Sequence, residues 1–249
     1  MTSAPLPRRL LAEFLGTMLL VTAVVGSGIM ASRLSPGNVG LQLLENSVAT
    51  AFALGALILT FGPISGAHFN PVVSAADWWL GRRYRTGLTA GDLGGYVIAQ
   101  TLGAIGGSVL ANAMFDLAPV SWSQTTRTGA HLWLGEVVAT AGLLLLIFAL
   151  VRSGRAAVAP AAVGAYIGAA YWFTSSTSFA NPAVTIGRAF TDTFAGIAPA
   201  SVPAYVAAHV VGLLVGVGLL LALYPHAGAA ADQVLVPDTR AGTSGGGDR

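Results

Sequence analysis

Six apolar runs set the limits on this fold. They lie at about 8–31, 44–64, 93–115, 131–152, 157–176 and 202–224, and reach or approach the length needed to cross a bilayer. A hydrocarbon core about 30 Å thick needs about 20 apolar residues as helix. Only 9% of the 249 residues are charged, against 54% hydrophobic, where a soluble domain carries about 25% charge. The chain is therefore an integral membrane protein, and in hydrocarbon its spans must be helical to satisfy their own backbone. With no Cys in the chain, disulfides, thiolate metal sites and Cys nucleophiles are excluded. No metal, cofactor, nucleic-acid partner or catalysis is expected. Arg8 and Arg9 ahead of the first run resemble the start of a secretion signal, but Glu13 inside the run argues for a retained span.

The ladder of spans is interrupted twice, at Ala67-His-Phe-Asn70-Pro71-Val72-Val73-Ser74 and at Phe179-Ala-Asn181-Pro182-Ala183-Val184. Asn is a strong helix N-cap, and Pro suits the first helical position. Each pair should start a helix, at about 70–80 and 181–190. A helix of about 11 residues is only about 16 Å long, half a bilayer. The residues leading in, 65–69 and 174–180, are polar or Gly-bearing and extended.

These elements recur in order. Glu13-Phe-Leu-Gly-Thr17 matches Glu136-Val-Val-Ala-Thr140, the two Asn-Pro boxes match each other, and Tyr96 to Gly103 matches Tyr205 to Gly212. Each half holds three spans, an odd number, so the halves enter the membrane from opposite faces as an inverted repeat. The expected fold class is an all-α membrane protein with six transmembrane helices and two re-entrant half-helices. One channel domain covers 1–225, with repeats at about 8–115 and 131–225, and a tail at 226–249 whose Gly, Ala and Asp content predicts disorder. Arg8, Arg9, Arg82, Arg83, Arg85, Arg152 and Arg155 fall on one side, against Arg33, Arg127 and Arg188 on the other. The positive-inside rule puts both termini in the cytoplasm.

Two inverted half-helices stacked end to end make one span, with their N-termini meeting near the midplane. Each N-terminus presents about half a positive charge. Together they raise the energy of a cation or hydronium, while neutral hydroxylic molecules still trade hydrogen bonds with Asn70 and Asn181. This is the physics of a pore for uncharged solutes that blocks protons.

The sequence resembles the aquaporin, or major intrinsic protein, family over about residues 8–225. The resemblance rests on Ala12 to Thr17, Ser65 to Pro71, Tyr96 to Gly103 and Asn181-Pro182-Ala183. It implies a pore in each subunit of a homotetramer, embedded in lipid, that passes small neutral solutes without a cofactor. It also implies roles: Asn70, Pro71, Val72, Asn181, Pro182 and Ala183 form the central boxes. His68 lies beside the cytoplasmic half of the pore. Glu13 and Glu136 hold the half-helix loops through backbone N–H groups.

The chain departs from the family at the outer filter. The Arg that usually follows the second box is Val184 here, and counting without gaps puts the other filter residues at Thr50, Ala169 and Ser178. That quartet is small to medium and uncharged, which predicts a wider constriction that repels cations less. The alternative is a slip of one or two residues in the count, above all in the span holding Thr50; Val184 is fixed by its box. Arg188, four residues on and on the same helical face, is either a displaced filter charge or a cap or partner of Asp192. Bacterial members with Val at this place include some associated with arsenic-resistance operons, so the resemblance implies passage of arsenite. Undissociated arsenous acid is a neutral trihydroxyl solute shaped rather like glycerol.

The resulting reading is a channel in a bacterial inner membrane for metalloid hydroxides, small polyols and water. A water-selective channel and an ion-coupled transporter are the alternatives; a transporter would place a carboxylate or His in the path.

Overall fold

A computed structural model describes residues 4–224, and the tail expected to be disordered lies outside them. Among the described residues there are eight α-helices and no strand. Six helical segments are long and apolar enough to cross a membrane: α1 Leu6–Leu34, α2 Val39–Ser65, α4 Ala90–Met114, α5 Ala130–Arg152, α6 Ala159–Phe173 with the 3-10 turn Ala156–Val158 ahead of it, and α8 Val202–Leu223 with the 3-10 turn Pro199–Ser201 ahead of it. Two short ones follow the Asn-Pro boxes, α3 Pro71–Gly81 and α7 Pro182–Gly187.

Local chemistry sets several ends. The Asn38 side chain accepts from Leu41 N–H at 3.0 Å and starts α2. Thr89 does the same for α4 through Asp92 N–H at 3.1 Å. Gly66, at φ 86, turns the chain sharply off the end of α2, a left-handed conformation that glycine adopts without penalty. Helix α7 is shorter than the sequence pattern suggests. After Gly187 the chain tightens into a 3-10 turn, Arg188–Phe190. The carbonyls of Arg188, Ala189 and Phe190 accept from Ile197, Ser123 and Ser121 N–H at 3.1–3.3 Å, so the loops before α5 and α8 replace the next helical turn.

The two halves mirror one another in contact as well as in sequence. Helix α1 packs along α4 and α5 along α8; α3 touches α4 and α8, as α7 does; α2 crosses α6 between the halves. Gly103 and Gly212 hold equivalent places in these pairs. A Cβ on Gly103 would strike the Phe14 carbonyl, and one on Gly212 would strike Thr140. Both helix pairs thus pack backbone to backbone, as small residues allow between membrane helices. The core between the halves is mostly aliphatic, and the short helices start inside it.

Candidate functional site

The site is made by two loops that should not be stable in isolation. Residues 66–69 and 177–180 carry positive φ at Gly66, Ala67 and Phe69, and at Thr177, Ser178 and Ala180. Five of these six residues have a side chain, and the left-handed region is costly for such residues, on the order of 1–3 kcal/mol each. Buried carboxylates hold the strain. Glu13 accepts from His68 N–H at 3.0 Å, Phe69 N–H at 2.7 Å, Ser65 Oγ at 2.6 Å and Gln100 Nε2 at 2.8 Å. Glu136 accepts from Phe179 N–H at 2.9 Å and Ala180 N–H at 2.7 Å, and its Oε2 lies 2.6 Å from His209 Nε2. His209 thus does in the second half what Gln100 does in the first.

The boxes meet at the centre. Asn70 caps α3 by accepting from Val72 N–H at 3.1 Å; Asn181 caps α7 by accepting from Ala183 and Val184 N–H at 3.0 and 3.2 Å. Each amide nitrogen also donates across the repeat. Asn70 Nδ2 reaches the Ala180 carbonyl and Asn181 Nδ2 the Phe69 carbonyl, both at 2.8 Å. An amide nitrogen carries two N–H groups, so each Asn keeps one for a passing molecule. Pro71, Val72, Pro182 and Ala183 are buried behind them at the helix starts.

A cavity runs past both boxes. It offers about 60 Å³ to the centres of water-sized molecules. At 10–15 Å³ for each water centre, that is room for about four to six waters. Its walls are mostly aliphatic, from Leu20 and Val24 on α1, Leu54 and Ile58 on α2, Leu143 and Ile147 on α5, and Val163 and Ile167 on α6. Polar groups interrupt this lining at a few levels: His68, Asn70, Asn181, Ser178, Thr50, Tyr171 and Arg188. His68 Nδ1 lies 3.0 Å from Ser74 Oγ, and its ring stacks at 5.4 Å on that of Tyr96. Glu13 and Glu136 do not line the cavity; their oxygens are spent on the loops.

Of the expected outer quartet, Thr50, Ser178 and Val184 line the cavity and Ala169 does not. Ala169 is exposed on the far side of α6. The residues that face inward there are Val163, Ile167 and Tyr171, spaced four apart along one helical face. The ungapped count fails at Ala169 alone, because the inward face of α6 passes through Tyr171, two residues on and about 200° around the helix. The wall at this level is therefore aromatic, and Tyr171 Oη lies 3.3 Å from Thr50 Oγ1. Sequence reasoning missed both Tyr171 and Phe179. The i, i+4, i+8 face of α6 carried the signal for Tyr171. Phe179 holds the place of His68 in the repeat.

Arg188 lines the same cavity, 3% exposed. Its guanidinium sits 3.5 Å from the centre of the Phe179 ring, and its Nε donates to the Ala195 carbonyl. The expected pairing with Asp192 is not made: Asp192 accepts instead from Gln124 N–H at 2.9 Å. Arg127, in the loop before α5, stacks on the same ring at 5.3 Å. Burial lowers the Arg127 guanidinium from its ordinary value, against the pull of Tyr205 and Glu136.

Six spans, paired re-entrant half-helices and a lumen threading both boxes define a passive transmembrane channel. The chain belongs to the major intrinsic protein family, whose family model matches residues 1–179. It is 51% identical over 215 residues to aquaglyceroporin AqpS of Rhizobium meliloti (strain 1021), a match covering 86% of this chain and 89% of the relative. It is 31% identical over 247 residues to aquaporin AqpM of Methanothermobacter marburgensis, covering 89% and 97% respectively. Its structure is similar to that of the aquaglyceroporin from Plasmodium falciparum, with a TM-score of 0.64 at 22% identity, covering 88% of this chain and 96% of that one. The family match stops just short of Asn181, so the second box rests on the repeat and on its geometry.

Proposed function

We propose that the chain passes small uncharged solutes down their gradients: water, glycerol-like polyols and neutral metalloid hydroxides such as arsenous acid. Protons and other ions are excluded. The observation that carries this reading is the reciprocal bracing of Asn70 and Asn181. It leaves two amide N–H donors on a lumen whose wall is mostly aliphatic between a few polar levels. A polyol can slide its carbons along that wall while its hydroxyls trade hydrogen bonds with the amides, whereas a cation meets two helix N-termini.

The outer level favours solutes larger than water. Thr50, Ser178 and Val184 are compact, and Tyr171 supplies a flat wall with a hydroxyl at its edge. The 51% identical relative is named an aquaglyceroporin, in keeping with polyol passage. Water selectivity is the second reading. It is favoured by room for only about four to six water centres and by the Thr50–Tyr171 contact across the mouth. A coupled transporter is disfavoured: the deep carboxylates are committed to backbone N–H groups, and His68, though on the lumen, has its Nδ1 engaged 3.0 Å from Ser74 Oγ.

The Arg distribution supports both termini in the cytoplasm, and the 51% identical relative from Rhizobium meliloti is in keeping with a bacterial inner membrane. Exposed Phe52, Leu59 and Trp172, on the face where α2 and α6 meet, suit lipid and the neighbours of a homotetramer. Stopped-flow shrinkage of proteoliposomes, run in parallel with water, glycerol and arsenous acid, tests the solute reading. Entry of all three above empty vesicles is expected. Fast water flux with neither solute entering would favour the water-selective channel.

A further inference from the structure

Val184 occupies the place where the sequence leads one to expect a charge, and Arg188 stands one helical turn beyond it. The repeat makes Arg188 the counterpart of Asp77, which is spent on the Leu88 N–H at 2.7 Å on the other side of the molecule. Arg188 is not spent in that way. Its Nε is tied to the Ala195 carbonyl, and its face lies flat on Phe179. Among the described residues neither terminal nitrogen has a hydrogen-bond partner, and no carboxylate lies within ion-pair distance. Neither nitrogen is among the sealed side-chain atoms that lack a partner, so both touch open space, and the open space beside them is the lumen. An Arg carries five N–H groups, of which Nε uses one; four remain for solutes.

The side chain is also held from behind. Arg127 stacks on the same Phe179 ring and is anchored by its Nε to the Gly196 carbonyl at 2.9 Å. Two guanidinium groups thus share one ring, and their hydrogen bonds go to backbone carbonyls, which leave the positive charges uncompensated. The result is a fixed positive pole at the outer mouth.

We propose that Arg188, clamped between Phe179 and the Ala195 carbonyl and backed by Arg127, is the charge and hydrogen-bond donor of the outer constriction. It rests on the channel reading above and adds how that channel refuses cations. One helical turn is about 5.4 Å. That distance separates the Arg188 and Val184 positions along the backbone, and the Arg188 guanidinium lies over the Phe179 ring. The wall beside the second box then carries only the compact Val184, Thr50 and Ser178 side chains, while the positive potential stays over the path. A broad solute range and cation exclusion then coexist, because different residues supply them.

The test compares parent, Arg188→Leu and Arg188→Lys in proteoliposomes, reading proton and potassium leak with dyes beside glycerol entry. Arg188→Leu should still admit glycerol faster than empty vesicles, and should leak cations faster by about tenfold or more. A unit charge several Å away, in an effective dielectric of about 20, changes a barrier by more than a tenfold rate difference requires. Arg188→Lys should stay close to the parent in leak. Arg188→Cys supplies a second route, since the chain has no other thiol. A cationic methanethiosulfonate added outside should suppress its leak, and a reductant should restore it. Leucine and cysteine variants that conduct glycerol yet leak no more than the parent would overturn the proposal alone. A parent that admits no glycerol would overturn the channel reading and this proposal with it.

Discussion

Asn70 and Asn181 each brace the loop that carries the other, by amide-to-carbonyl bonds of 2.8 Å. The two boxes are therefore one structure. Replacing either Asn by Ala removes an N-cap worth about 0.5–2 kcal/mol and leaves a buried carbonyl unpaired at a further cost of about 1–3 kcal/mol. Because the loops support each other, the double variant should lose less than the sum of the singles, by about 0.5–3 kcal/mol. Denaturation midpoints in detergent for the four proteins of this cycle measure it. Strict additivity would mean the loops are held independently.

Glu136 and Glu13 should be among the least replaceable side chains. Glu136→Ala strands two buried N–H groups and His209 together, a loss of about 3–5 kcal/mol or outright failure to insert. His209→Gln is expected to be tolerated, because Gln100 already makes the equivalent bond to Glu13 at 2.8 Å. His209→Leu leaves Glu136 short of a donor and should destabilise by about 1–3 kcal/mol. Yield of folded protein and its thermal midpoint separate these cases. Equal loss in the Gln and Leu variants would contradict the repeat argument.

The α6 wall makes a prediction by position. In the Cys-free chain, Tyr171→Cys and Thr50→Cys place single thiols in the lumen, whereas Ala169→Cys places one on the outside of α6. A bulky methanethiosulfonate should block glycerol entry through the first two and leave the third conducting. Block at Ala169→Cys with none at Tyr171→Cys would restore the ungapped count.

Val184→Arg puts a long cation at a level that is now open. Glycerol and arsenous acid entry should fall by about tenfold relative to water, equivalent to about 1.4 kcal/mol on the barrier. Unchanged solute flux in a folded, water-conducting variant would mean that Val184 is not at the constriction.

The deepest features were readable because they rest on local chemistry. An Asn-Pro pair caps a helix wherever it stands, and Glu13 and Glu136 within apolar runs had to find buried donors. The inverted repeat followed from counting spans. What escaped depends on packing, on where one helix ends and how the next loop folds back. Ala169 and Tyr171 stand two residues apart within α6, about 200° around the helix, so only packing decides that Tyr171 faces inward and Ala169 outward. The 3-10 turn at Arg188–Phe190 exists because outer-loop N–H groups take its carbonyls. No spacing within 181–190 announces it, and it shortens α7. The stacking of Arg188 on Phe179 joins the ends of one short segment through tertiary packing.

The most direct measurement is glycerol entry and proton leak in the same proteoliposomes, under an imposed pH gradient. Two opposed half-helices around an aliphatic lumen predict glycerol entry well above that of bare lipid while the pH gradient persists. Absence of glycerol entry, or collapse of the gradient at a rate set by protein content, would contradict the account.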